Sequence, residues 1–244
     1  RVETFVWHNG HQEDANGLLI KPVGYQKGKR YPLVLLFDDG TLKDQAEPYL
    51  LDGVLQLSSY AVQMLAAEGF MVLYMREPML GDVAGTEGEG QRMRRHAESA
   101  VSALDRAGLI DSSRVGISGW SRAAYYTDFT LIHSDFQFAA AIGIDGGAAE
   151  YSAGMRPFTD AELSRIRVPK LFHFQGLSSV ISASQMAARM QAMGKPLDFL
   201  YFHTASHTTE RPQHRLRSLG TSVDWWRFWL KSEEDTDPAK AEQY

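Results

Sequence analysis

Val115-Gly116-Ile117-Ser118-Gly119-Trp120-Ser121-Arg122-Ala123 is the stretch on which the fold turns. It reads as an apolar strand entering a tight turn and leaving as the helix Arg122–His133. Gly119, Ser121 and Ala123 form Gly-x-Ser-x-Ala, a one-residue variant of the Gly-x-Ser-x-Gly nucleophile elbow. In such a turn the serine is pushed out at the carboxyl end of a sheet strand. Small neighbours keep the strained backbone free of clashes, and the helix that follows aims its positive N-terminal end at a developing oxyanion. The alternative for Ser121 is a plain cap on the helix Arg122–His133. Its position between a predicted strand and a predicted helix favours the elbow.

Working outward, Leu33–Phe37 is a continuous apolar strand run that ends at Asp38-Asp39-Gly40. Leu57, Tyr60, Ala61, Met64 and Leu65 fall at helical spacing within Leu57–Ala67, and Phe70–Tyr74 is another buried strand. Gln91–Ala107 is a charged amphipathic helix. Beyond the elbow, strands at Phe138–Ile144, Lys170–Phe174 and Leu197–Phe202 alternate with a helix at Ala183–Met193 and a short one opened by the Thr159/Glu162 capping box. A C-terminal helix carries Leu216, Leu219, Val223, Trp226 and Leu230 on one face, and two β-rich runs, Glu3–His8 and Gly17–Lys21, begin the chain. Near-continuous apolar strands alternating with helices indicate an α/β protein, its mostly parallel sheet covered by helices on both faces.

The chain has 244 residues, 44% of them hydrophobic, which fits one sizeable core. A net charge of −5 offers no basic field, so no nucleic-acid partner is expected. No apolar stretch approaches the ~18 residues of a membrane helix, so no membrane partner is expected either. The absence of cysteine excludes thiol nucleophiles and thiolate metal sites. His203 and His207 have the i,i+4 spacing of a zinc helix, but Thr204 follows where zincins need Glu; no metal or cofactor is expected. The expected organisation is a catalytic domain over residues 1–230 and a charged tail of low order over 231–244. The first residue is Arg1 rather than Met, from which a natural N-terminus further upstream is expected.

A serine nucleophile needs a base, and α/β-hydrolases supply it after the last strand, in the chain order Ser, acid, His. His207, in the loop beyond Leu197–Phe202, fits that role better than His203, which sits against the strand end. Gly119–Tyr125, the run Tyr31-Pro32-Leu33-Val34, the His207 loop and the helix Val223–Leu230 together resemble the catalytic domain of the prolyl oligopeptidase family of serine peptidases. The run Asp235–Tyr244 is most similar to the lasso peptide isopeptidases within it. The resemblance implies an α/β-hydrolase fold, a peptide substrate, a bacterial cytoplasmic or periplasmic protein, and for family members an N-terminal β-propeller, which is expected to be absent here. It also implies opening of the macrolactam bond between a peptide's N-terminus and an Asp or Glu side chain. The expected absence of the propeller implies an open Ser121 face, with either self-association through it or polar replacements there that prevent it.

Two positions depart from the family pattern. The triad acid should follow the strand Lys170–Phe174, yet the predicted loop Gln175–Ser182 has no carboxylate, and Ser179 stands where Asp or Glu is expected. Asp160 and Glu162 are explained by helix capping. Asp145, directly after Phe138–Ile144, is either the acid at a neighbouring strand end or a turn residue before Gly146-Gly147. The oxyanion hole should take one N–H from Arg122 and a second from the loop after Phe37, where Asp38 and Asp39 bring unwelcome negative charge. The segment after Asp145 is also short for a lasso isopeptidase. Three functions stand open on the sequence: a serine peptidase or isopeptidase, a non-catalytic or engineered hydrolase-fold scaffold without a triad acid, and a small-molecule esterase.

Overall fold

A computed structural model describes residues 1–9, 14–37, 60–76, 80–146 and 156–243. Eight strands form one sheet in the order β1-β2-β4-β3-β5-β6-β7-β8. They are β1 (Val2–His8), β2 (Asp14–Ile20), β3 (Tyr31–Phe37), β4 (Met71–Met75), β5 (Ile110–Trp120), β6 (Ala140–Ile144), β7 (Lys170–Gln175) and β8 (Leu197–Phe202). The β1–β2 and β2–β4 pairs are antiparallel, and every other pair is parallel. This is the mostly parallel α/β sheet that the alternation of elements implies.

The pleat of β3 shows why both faces need cover. Leu33, Leu35 and Phe37 point into one buried cluster, whereas Val34 and Leu36 point into another on the opposite face. Helices α2 (Glu87–Arg106), α3 (Arg122–His133) and α5 (Gly176–Ala192) close the first face, with the short α4 (Asp160–Leu163) beside them; α1 (Val62–Ala67) and α6 (Pro212–Lys231) close the second. In α2 the buried residues Met93, Ala97, Ala100, Val101 and Leu104 recur at helical spacing, and Thr86 caps its start by accepting the Gly88 N–H. On the other face Trp226 packs against β5: a Cβ at Gly116 would come within 2.3 Å of its ring, so glycine is required there. Lys170 and Asp128 form a fully buried ion pair between β7 and α3; burial pushes the Asp128 carboxyl up and the Lys170 amine down.

Strand order reverses between β3 and β5, because β4 lies on one side of β3 and β5 on the other. In open α/β sheets, ligands bind at the carboxyl ends of strands flanking such a point. Ser121 follows β5 there. No helix among the described residues is long and apolar enough to cross a membrane.

Several boundaries move. The segment Gln175–Ser182, read as a loop, is strand end and helix: α5 begins at Gly176, seven residues before the expected start. Ser179 therefore lies in the first turns of that helix. Leu216 is 72% exposed and Met64 38%, so neither belongs to the buried face expected of it. Leu57 lies outside the described residues, as do Asp38, Asp39 and the segment 147–155 after Asp145. Residues 238–243, expected to have little order, form a short 3-10 helix after Lys231, and Lys240 bridges Asp224 and Asp235.

Candidate active site

Ser121 joins β5 to α3 with φ 57° and ψ −124°, a region that L-residues enter only where the surroundings impose it, at a cost of about 1–3 kcal/mol. The surroundings are specific. A Cβ at Gly119 would lie 2.0 Å from the Ala123 carbonyl oxygen, and one at Gly146 would lie 2.0 Å from the Ser121 carbonyl oxygen. Ala123 is fully buried in the core and its own methyl is accommodated, which explains why the last position of the motif tolerates alanine. The turn is further fixed by Ser121 N–H donating to the Ile144 carbonyl at 2.8 Å.

His207 and Asp145 converge on this turn. The Ser121 hydroxyl lies 2.9 Å from His207 Nε2, and the opposite ring nitrogen, Nδ1, contacts Asp145 Oδ2. An ionised carboxylate can only accept, so Nδ1 carries the proton and the Nε2 lone pair faces the serine hydroxyl. Asp145 takes a positive φ of 48° and is 5% exposed. It is therefore a turn residue and a partner of His207 at once. Its other oxygen, Oδ1, accepts the Gln175 N–H at 2.8 Å. Burial pushes the Asp145 carboxyl above the usual aspartate range, against the opposing pull of His207 and the Gln175 N–H. The His207 ring lies 4.3 Å, centroid to centroid, from Trp120, whose indole N–H donates to the His207 carbonyl. His203 is exposed beside Tyr201 and takes no part.

With this geometry in place the chain can be set beside known proteins. No family model matches it. The lasso peptide isopeptidase AtxE2 of Asticcacaulis excentricus is 27% identical over 285 residues, an overlap taking in 100% of this chain and 40% of the relative. The chain is a homologue of that isopeptidase. It spans about 40% of the relative's length. Among solved structures, a serine-to-alanine variant of AtxE2 isopeptidase with Astexin3-dC4 bound superposes with a TM-score of 0.80 at 22% identity, over 100% of this chain and 42% of that one. An acylaminoacyl peptidase from Pyrococcus horikoshii gives a TM-score of 0.73 at 16% identity, over 98% and 43%. These likenesses establish the α/β-hydrolase fold that the elbow and the strand order imply.

On the other side of the elbow stands a group that the sequence reading passed over. Glu89 of α2 is fully buried, and its carboxylate accepts from Arg122 Nε and Nη2 at 2.5 Å each, from the Tyr126 hydroxyl at 2.5 Å and from the Gly85 N–H at 2.6 Å. Burial pushes its pKa up, but the donors from Arg122, Tyr126 and Gly85 outweigh it and hold the carboxyl below the usual range. The Arg122 guanidinium is thus fastened to α2. Its backbone N–H, at the first helical position, has no intrahelical acceptor and lies at the positive end of α3. Tyr60 adds a brace: its hydroxyl donates to the Phe37 carbonyl at 3.0 Å and accepts the Trp120 N–H at 2.7 Å, tying the ends of β3 and β5.

Proposed function

We propose that residues 1–230 act as the catalytic domain of a serine hydrolase that cleaves peptide or isopeptide bonds, lasso peptides included, through an acyl-enzyme. The observation that carries this reading is the imidazole of His207, bonded at 2.9 Å to the Ser121 hydroxyl through Nε2 and to a buried carboxylate through Nδ1. Ser121 Oγ attacks the substrate carbonyl carbon while His207 Nε2 takes its proton. Asp145 holds the imidazole in the required tautomer and stabilises the imidazolium. The Arg122 N–H donates to the oxyanion. The C–N bond then breaks as His207 returns the proton to the leaving amine, and water, activated by the same imidazole, releases the acid and restores Ser121.

Asp145 also bears on the scaffold alternative, whose ground was a missing acid. A carboxylate on His207 Nδ1 supports the catalytic reading over the scaffold one. Homology to a lasso peptide isopeptidase supports the substrate class. The test is hydrolysis by this chain of a short linear ester, a linear peptide and a threaded isopeptide, each beside Ser121→Ala. The reading expects amide or isopeptide cleavage that Ser121→Ala abolishes. Ester cleavage alone would leave a small-molecule esterase, and cleavage undiminished in Ser121→Ala would refute the assignment.

A further inference from the structure

We propose that Gln175 is a positioning residue for the reaction: it fastens the His207 loop to Asp145 and so allows an acid at the end of β6 to serve a histidine that follows β8. This rests on the reading of Ser121, His207 and Asp145 as the reacting set. Gln175 ends β7, is 1% exposed, and faces both partners. Its backbone N–H donates to Asp145 Oδ1 at 2.8 Å. In the amide orientation that satisfies its neighbours, its side-chain nitrogen donates to the His207 carbonyl at 2.8 Å and to the Ser206 carbonyl at 3.2 Å.

The loop needs such an anchor. The His207 side chain is 52% exposed, and an imidazole on an exposed loop samples many rotamers unless its backbone is held. The His207 carbonyl takes donors from two sides, Trp120 at 3.2 Å and the Gln175 amide. Directly after Gln175, Gly176 adopts φ +79°, and a Cβ there would stand 2.8 Å from the Ala205 carbonyl oxygen, so the loop rests on bare backbone. The chemistry at this position also argues for an amide over an acid. A carboxylate of the same shape would face two carbonyl oxygens without a proton to offer, and would add a second negative charge near Asp145.

The proposal separates donor chemistry from shape. Gln175→Met keeps volume and removes the donors; Gln175→Glu keeps shape and replaces the donors with a charge. The readout is the rate at which a fluorophosphonate modifies Ser121 in the whole chain, measured across pH. Misplacing the base by about 1 Å costs about 100-fold, so we expect Met to lower the rate by roughly 10-fold and Glu by roughly 100-fold at neutral pH. Lowering the pH should restore part of the Glu variant's rate relative to wild type, because protonation gives the introduced carboxyl one donor; the Met variant should show no such recovery. A packing role would give neither the ranking nor the pH recovery. In parallel, the proton resonance of His207 Nδ1–H should persist in wild type and broaden in both variants through loop motion, a readout independent of turnover. Rates within twofold of wild type and an unchanged resonance would overturn the role of Gln175. If Asp145→Asn labels at the wild-type rate, the reacting set itself is misassigned, whatever the Gln175 variants do.

Discussion

Among the described residues two carboxylates, Glu89 and Asp145, lie beside the elbow, and their surroundings differ. Glu89 lies on the α2 side with four donor contacts from three residues and has its pKa held down. Asp145 lies on the loop side, where its carboxylate accepts the Gln175 N–H and faces the His207 imidazole, and burial leaves its pKa raised. A carboxylate surrounded by permanent donors is a fixed charge, fit to hold a helix and an elbow in register. A carboxylate for which burial outweighs its donors, and whose imidazole partner can gain a proton, stabilises most when that partner becomes charged. The first arrangement stabilises the fold; the second withholds stability until the imidazolium forms. On the proposed mechanism, the Asp145 side is the working side of the elbow.

The contrast is broken most readily by swapping each acid for its amide. Asp145→Asn is expected to lower kcat by about 10⁴, the loss that follows when the base is held in the wrong tautomer. It should leave the protein as stable as wild type or more so, since an ionised acid whose folded pKa is raised opposes folding above its ordinary pKa. Glu89→Gln should do the reverse. Leaving Arg122 without its counter-charge is expected to cost roughly 2–4 kcal/mol of stability, the lower end applying because Arg122 is partly solvated. Activity should fall far less than in Asp145→Asn. Urea unfolding and ester turnover on both variants test this crossing, and a large stability loss in Asp145→Asn would break the comparison.

Acid titration sharpens it further. The Glu89 contribution is complete above its ordinary pKa of 4.5 and is lost as the pH falls toward the lowered folded value. A smaller effect begins earlier. His96 is buried against Trp7 with its pKa depressed to about 4, and the buried His173 is depressed to about 3, so the unfolded chain binds their protons first. Stability should therefore decline from pH 6.5 downward, by roughly 1 kcal/mol per histidine at pH 5.5. His96→Phe should remove about half of that decline, leaving the His173 share and the Glu89 loss below 4.5 in place.

What the sequence discloses divides along the same line. The elbow is legible because its parts are contiguous: Gly119, Ser121 and Ala123 lie within five residues between a strand and a helix. His207 and Asp145 are legible as residues at strand ends, although their meeting, across 62 positions, belongs to the folded sheet. Glu89 is hidden because it falls just before the expected helix start at Gln91, in the charged, glycine-rich run Thr86-Glu87-Gly88-Glu89-Gly90. Only packing shows why Gly90 is there: a Cβ would press within 2.6 Å of the Phe129 ring. The start of α5 is hidden for a related reason. Gly176-Leu177-Ser178-Ser179-Val180-Ile181-Ser182 is poor in helix formers, and the helix depends on burying Ala183, Met186, Ala187 and Met190 against the sheet. As a loop, the segment presents Ser179 at the acid's position; as a strand end and helix, it presents Gln175, which touches both Asp145 and the His207 loop.

The most direct test is the rate and position of fluorophosphonate modification in wild type, His207→Ala, Asp145→Asn and the double variant, followed by mass spectrometry. If Ser121, His207 and Asp145 act as one unit, wild type carries a single adduct on Ser121, each substitution slows its formation by orders of magnitude, and the double variant is no slower than His207→Ala within a few-fold. An adduct on Ser118 or Ser206, or a wild-type rate in Asp145→Asn, would contradict the account.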